Sequence, residues 1–88
     1  MMRAPDTDVL QRVLAVARAE VPDRLRGVEV DSSTLLREEL GLDSGLFITL
    51  VVALEEEFRV DLESADVSEV TTVGDVVGLI TTRMDTGR

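Results

Sequence analysis

The chain has no cysteine, no histidine, no tryptophan and no tyrosine, and only two phenylalanines. Without Cys it forms no disulfide, and it carries no mark of an oxidising compartment. Without His it lacks the side chain that most often serves as general base or metal ligand near neutral pH. With aromatics at 2% but hydrophobic residues at 44%, any core must be aliphatic, which suits a small helical bundle packed with Leu, Val and Ile. Positive charge is also scarce. Nine arginines and no lysine stand against 18 acidic residues, for a net charge of -9. Between Glu38 and Asp75 the only basic residue is Arg59. Such a surface repels nucleic-acid phosphates and anionic membranes and attracts basic protein patches. No apolar run approaches the ~20 residues that span a bilayer, and Met1-Met2-Arg3-Ala4 is too short for a signal peptide. The expectation is one soluble, cytoplasmic, all-α domain over 1–88, binding neither nucleic acid nor membrane.

Hydrophobic spacing places the helices. Leu10, Val13, Leu14, Ala17 and Val21 recur at steps of three and four, predicting a helix over about 7–21, capped by Asp6 or Thr7 and stopped by Pro22. Residues 22–43 hold no sustained period but carry Val28, Val30, Leu35, Leu36, Leu40 and Leu42, enough to lie on a bundle as an ordered crossover. Ser33 or Thr34 can open a short turn there, and Gly41 suits the left-handed position that closes one. A second long helix is predicted over 44–58, with Leu46, Phe47, Leu50, Val51, Leu54, Glu57 and Phe58 on the core arc. A short turn is expected near 62–67. Thr72-Val73-Gly74-Asp75 resembles a capping box with Asp in place of Glu, opening a last helix over 73–83 that buries Val73, Val76, Val77, Ile80 and Met84. Residues 1–5 and 85–88 are expected to be flexible tails.

The stretch Gly41-Leu42-Asp43-Ser44-Gly45 has the strongest local chemistry. Asp43 is a good N-cap, and Ser44 then falls in the first turn, where free N–H groups and the helix dipole favour an anion. A phosphate ester on Ser44 would sit where the backbone already suits it. On helix signals alone Ser44 also reads as a plain residue of the capping turn. A nucleophile elbow is excluded, because the spacing is Gly41-x-x-Ser44-Gly45, no strand precedes it and no His exists to activate it. Asp61-x-Glu63-x-Ala65 lacks the ligand ladder and central Gly of a calcium loop, so no metal site is expected. Glu38-Glu39 and Glu55-Glu56-Glu57 read as solvated charge rather than acid/base pairs. On the serine's side of its helix, Gly45, Ile48, Thr49, Val52, Glu55 and Glu56 form an arc of exposed aliphatics rimmed by carboxylates. It can act as a docking surface, or Ile48 and Val52 can extend the core under the long loop.

Leu40-Gly41-Leu42-Asp43-Ser44, followed by Leu50-Val51-Val52-Ala53-Leu54-Glu55-Glu56-Glu57-Phe58 and then Thr71-Thr72-Val73-Gly74-Asp75-Val76-Val77, resembles the acyl carrier protein family. The likeness runs from the first helix to about Ile80. It implies a four-helix bundle with a long first loop and a short third helix. It also implies 4′-phosphopantetheine attached to Ser44, with Asp43 flanking as N-cap, transferred from coenzyme A by a phosphopantetheinyl transferase. Acyl groups would ride as thioesters on the arm's thiol, which would give a chain without Cys its thiol chemistry. Such a protein catalyses nothing itself. It is a monomer serving an acyl- or aminoacyl-loading enzyme and downstream synthase enzymes. Where the family usually has Leu or Met after the serine, this chain has Gly45. Where fatty-acid carriers are often acidic, it has Leu46 and Thr49. The departures point to a polyketide or hybrid natural-product pathway, with partner contacts at Gly45, Leu46, Ile48, Thr49, Val52, Glu55 and Glu56. The alternatives are an aminoacyl or peptidyl carrier, a fatty-acid-synthesis carrier or, from another class, an acidic helical adaptor without a prosthetic group.

Overall fold

In the computed structural model, which describes the backbone of residues 5–86 and the side chains of residues 8–84, three long helices pack around one aliphatic core. They are α1 (Pro5–Glu20), α3 (Ser44–Phe58) and α5 (Val73–Thr86), with one-turn helices α2 (Pro22–Leu25) and α4 (Ser64–Val67) between them. Among the described residues there is no strand, only an isolated antiparallel bridge between Leu35 and Thr72. The all-α, acyl-carrier-like bundle expected from the sequence is what the chain forms, with one further helical turn.

The core is the set of positions that periodicity selects. Val9, Val13, Leu14, Ala17 and Val21 face inward from the first helical segment, where Val9 takes the buried place expected of Leu10. Leu50, Leu54 and Phe58 of α3 belong to the same buried cluster as Val73, Val76, Val77 and Ile80 of α5, with Leu54 and Ile80 at 0% exposure. Leu36, Leu40 and Leu42 close the core from the crossover. α1 packs on both α3 and α5.

Several boundaries differ from expectation, each for a physical reason. α1 begins at Pro5, so Asp6 and Thr7 lie within its first turn rather than capping it. Pro is suited to that first position because its missing N–H would have no partner there. Pro22 acts the same way: α1 stops at Glu20, but Pro22 then opens α2 at once. α4 is confined to Ser64–Val67, and α5 continues past residue 83 to Thr86. Met84, expected inside, is 38% exposed, because Ile80 already fills the last inward position of that face. Of the tails expected at 1–5 and 85–88, Pro5, Asp85 and Thr86 are instead helical, as the ends of α1 and α5, and 1–4 and 87–88 lie outside the described residues. Glu57, placed on the core arc by its angle, is exposed and ion-paired to Arg12 at 3.1 Å, while that guanidinium lies 4.3 Å above the Phe58 ring. The pair clasps α1 to α3 at the edge of the core, which a helical wheel does not reveal.

The capping box at the start of α5 forms as expected. The Thr72 Oγ1 accepts the Asp75 N–H at 3.1 Å, and an Asp75 carboxylate oxygen accepts the N–H groups of Thr71 at 2.9 Å and Thr72 at 3.1 Å. Those amides, Thr71 first, hold the Asp75 carboxyl below its usual pKa. The contribution is therefore complete above the unfolded carboxyl value of about 4 and is lost as pH falls through the lower folded value. Melting temperature is expected to hold at neutral pH and drop on acidification. Asp75→Asn should lower the neutral plateau and flatten that acid limb, read from thermal melts across pH.

The same end of α5 fastens the crossover. Leu36 N–H donates to Thr71 O at 2.9 Å, Val73 N–H to Thr34 O at 3.0 Å and Gly74 N–H to Ser32 O at 2.7 Å. A Cβ on Gly74 would stand 2.8 Å from that Ser32 oxygen, whereas one on Gly78 would meet nothing within 4 Å. Gly74→Ala is thus expected to destabilise by about 1–3 kcal/mol by pushing away its own hydrogen-bond partner. Gly78→Ala should stabilise by about 0.5–1 kcal/mol through helix propensity alone. Urea titration of the two variants side by side checks the opposite signs.

Candidate functional site

The fastened crossover delivers the chain to α3 through Gly41, whose φ of +67° is the left-handed conformation expected of it. Arg37 O accepts the Gly41 N–H at 3.0 Å, and Leu36 O accepts the Leu42 N–H at 3.1 Å. Leu42 is 2% exposed and pins the turn to the core. One residue later, Asp43 adopts an extended backbone, and its Oδ1 accepts the Leu46 N–H at 2.9 Å. Asp43 is therefore the N-cap of α3, and Ser44 is its first helical residue.

That position leaves Ser44 open. The residue is exposed, and among the described residues its hydroxyl has no hydrogen-bond partner. Gly45 is exposed beside it, and a Cβ there would lie 3.6 Å from Asp43 Oδ1, an ordinary contact. The glycine is not demanded by the backbone. It clears space around the hydroxyl. The first turn of α3 contains no acidic residue, so the partial positive charge of the helix end is uncompensated except by the Asp43 cap.

Running down α3 from Ser44, Ile48 is 55% exposed and Val52 47% exposed. They do not extend the core. Thr49 and Glu56 are exposed beside them, and Leu46 is half-buried at the upper edge. Glu55 sits differently: it is half-buried, and its Oε2 accepts the Leu62 N–H at 2.9 Å, anchoring the connection that leads to α4. The structure thus brings Ser44, Gly45, Ile48, Thr49, Val52 and Glu56 onto one solvent-facing strip, with Glu55 at its margin. Among the described residues no group of carboxylates is arranged to hold a metal ion, and no helix is long and apolar enough to cross a membrane.

The family described as the phosphopantetheine attachment site matches residues 7–80, from α1 to Ile80 in α5. The chain belongs to that family. Phosphopantetheine-binding domains attach 4′-phosphopantetheine covalently and act as carriers, meeting a phosphopantetheinyl transferase and partner enzymes. The residues present fit the group. A phosphate ester needs an unhindered hydroxyl. The α3 start supplies an unpartnered hydroxyl, unpaired N–H groups at a fifteen-residue helix's positive end and a side-chain-free neighbour at Gly45.

Sequence reasoning overlooked Arg24. It sits in α2, which was not expected to exist, and its Nη1 comes within 3.5 Å of where a Cβ on Gly41 would be. The signal that could have revealed it was the Pro22-Asp23 pair, a Pro-acid helix opening just beyond the first helix.

Proposed function

We propose that Ser44 is the attachment residue and that the chain is a non-catalytic, monomeric, cytoplasmic acyl carrier of a polyketide or hybrid natural-product pathway. The observation that carries the attachment is the free Ser44 hydroxyl on the first residue of α3, inside the matched family domain. When bound, the prosthetic group supplies a thiol on which acyl cargo is held as a thioester. Loading forms a P–O bond to Ser44 Oγ, breaks the pyrophosphate link of coenzyme A and releases the adenosine bisphosphate portion. The base that takes the serine proton must come from the transferase, since the chain has no His and the Asp43 carboxylate is engaged with Leu46 N–H. Asp43 fixes the turn, Gly45 gives the transferase access, and Leu42 keeps the turn from folding away. Incubation with coenzyme A and a permissive transferase is expected to add one phosphopantetheinyl group to the intact mass. An unchanged mass would leave the adaptor reading.

The pathway assignment rests on the strip beside the serine. With Gly45, Leu46 and Thr49 in the first turns, no carboxylate follows Asp43 on α3 until Glu55, so basic partners that grip early acids find nothing to hold. Docking falls instead to Ile48 and Val52, with Leu46 and Thr49 above and Glu55 and Glu56 below, a surface closer to that of peptidyl carriers. The core also holds little spare room: the apolar void between Val13, Leu14, Leu50 and Val76 is about 10 Å³, no more than about one water needs. Ile48→Glu and Val52→Glu should each keep full helicity, because both side chains face solvent. Each should lower kcat/KM with the cognate partner enzyme by about tenfold, the size of a lost apolar anchor. Equal turnover in the two variants and the parent would rule this face out.

A further inference from the structure

Two grooves flank the start of α3. One, of about 290 Å³, opens beside Phe47 against Val67, Val70 and Thr71, with Arg37 and Glu38 at its edge. The other, of about 230 Å³, opens beside Leu46 and is walled by Val21, Pro22 and Arg24 at the corner between α1 and α2. Leu46 and Phe47 are successive helical residues pointing about 100° apart, so the two grooves lie on different sides of the helix start.

Arg24 distinguishes them. Its guanidinium reaches the turn that leads to Ser44, with Nη1 3.5 Å from the Cβ position of Gly41. Among the described residues it makes no hydrogen bond or ion pair. The acid beside it, Asp23, is already held by Arg26 at 2.9 Å, leaving Glu20 as the exposed carboxylate of that wall. In a chain of net charge -9, an unanswered five-donor fork beside the attachment turn calls for an anion.

We propose that Arg24 is a phosphate-holding residue. Its guanidinium donates to the two non-bridging oxygens of the phosphodiester on Ser44 and turns the base of the prosthetic arm into the Leu46 groove. The inference rests on the reading that Ser44 carries the group. The chemistry matches on both sides of the phosphorus. A phosphodiester keeps one negative charge and two acceptor oxygens, which suit a planar guanidinium. The branched hydrocarbon next to the phosphate in pantetheine suits the apolar wall of Leu46, Val21 and Pro22. Arg37, at the edge of the other groove, has the same charge but meets the turn through its backbone carbonyl, which accepts the Gly41 N–H, so it is the natural comparison.

The test uses apo and phosphopantetheinylated forms of the parent chain, Arg24→Gln, Arg24→Lys and Arg37→Gln. Intact mass reports loading, and amide and arginine side-chain NMR shifts report where the arm rests. All four are expected to load. In the parent, shift differences between the two forms should extend beyond Ser44 to Val21, Arg24 and Leu46, and should shrink as salt is raised. In Arg24→Gln they should fall about threefold at those positions, the scale of one partly exposed ion pair. They should be partly kept in Arg24→Lys and unchanged in Arg37→Gln. The apo melting temperature should not move, since Arg24 is exposed, which separates arm-holding from a structural role. Differences confined to Ser44 and its neighbours, or spread toward Val67 and Thr71, would overturn the proposal, as would an Arg24→Gln pattern equal to the parent's. Failure of the parent to gain mass would overturn the Ser44 reading as well, whereas loading without Arg24 dependence would overturn this inference alone.

Discussion

Ser44→Ala is expected to fold as the parent does and to take up no prosthetic group, a change from full loading to none. The folding half follows from the site's construction. The Ser44 hydroxyl has no partner among the described residues, and the cap of α3 is the Asp43 carboxylate on Leu46 N–H, which alanine at 44 leaves untouched. A surface change of that kind stays within about 0.5 kcal/mol. The chemical half follows from the state of the other hydroxyls. The Ser33 Oγ donates to Asp31 Oδ1 at 2.7 Å, and the Ser68 Oγ donates to Ala65 O at 2.9 Å. Ser64 does open a helix, but α4 is a single turn of four residues with little dipole to offer an anion. Intact mass and circular dichroism on the one variant read both halves. Residual mass gain in Ser44→Ala would place the attachment elsewhere.

What could be read from the sequence followed the range of the interaction concerned. The Asp43 cap, the Thr72–Asp75 box and the left-handed Gly41 are settled by residues within four positions of one another, and each forms as local rules require. The inward faces of α1, α3 and α5 are likewise periodic. What escaped is non-local. The bond from Gly74 N–H to Ser32 O joins positions far apart in the chain, and Gly74 read only as a position within the capping box. Glu57 lies at a core angle, yet pairs across to Arg12 on α1. Glu55 read as one of a run of surface acids, but its bond to Leu62 N–H depends on the chain turning back after the left-handed Arg59. Arg24 needed both the unforeseen α2 and its placement against Gly41. The candidate site was therefore legible as far as it is one helix start, and silent where a second element approaches it.

Leu54→Ala is expected to cost about 2–5 kcal/mol, the largest stability loss of any single change considered for this chain. Leu54 is 0% exposed at the middle of α3, among the residues that join this helix to α1 and α5. The whole fold of an 88-residue domain is worth on the order of 4–13 kcal/mol, so a loss of that size is a large share of it. Val52→Ala, two residues away but 47% exposed, should change stability by less than about 0.5 kcal/mol. Urea unfolding of the pair measures the contrast, and a Leu54→Ala cost below about 1 kcal/mol would mean that α3 does not sit in the core as described. The variant also links packing to loading. Ser44 is presented by a helix that Leu54 holds in place, so Leu54→Ala should load poorly near its melting temperature and recover when cooled, whereas Ser44→Ala should load at no temperature. That difference separates loss of the attachment atom from loss of the helix that presents it.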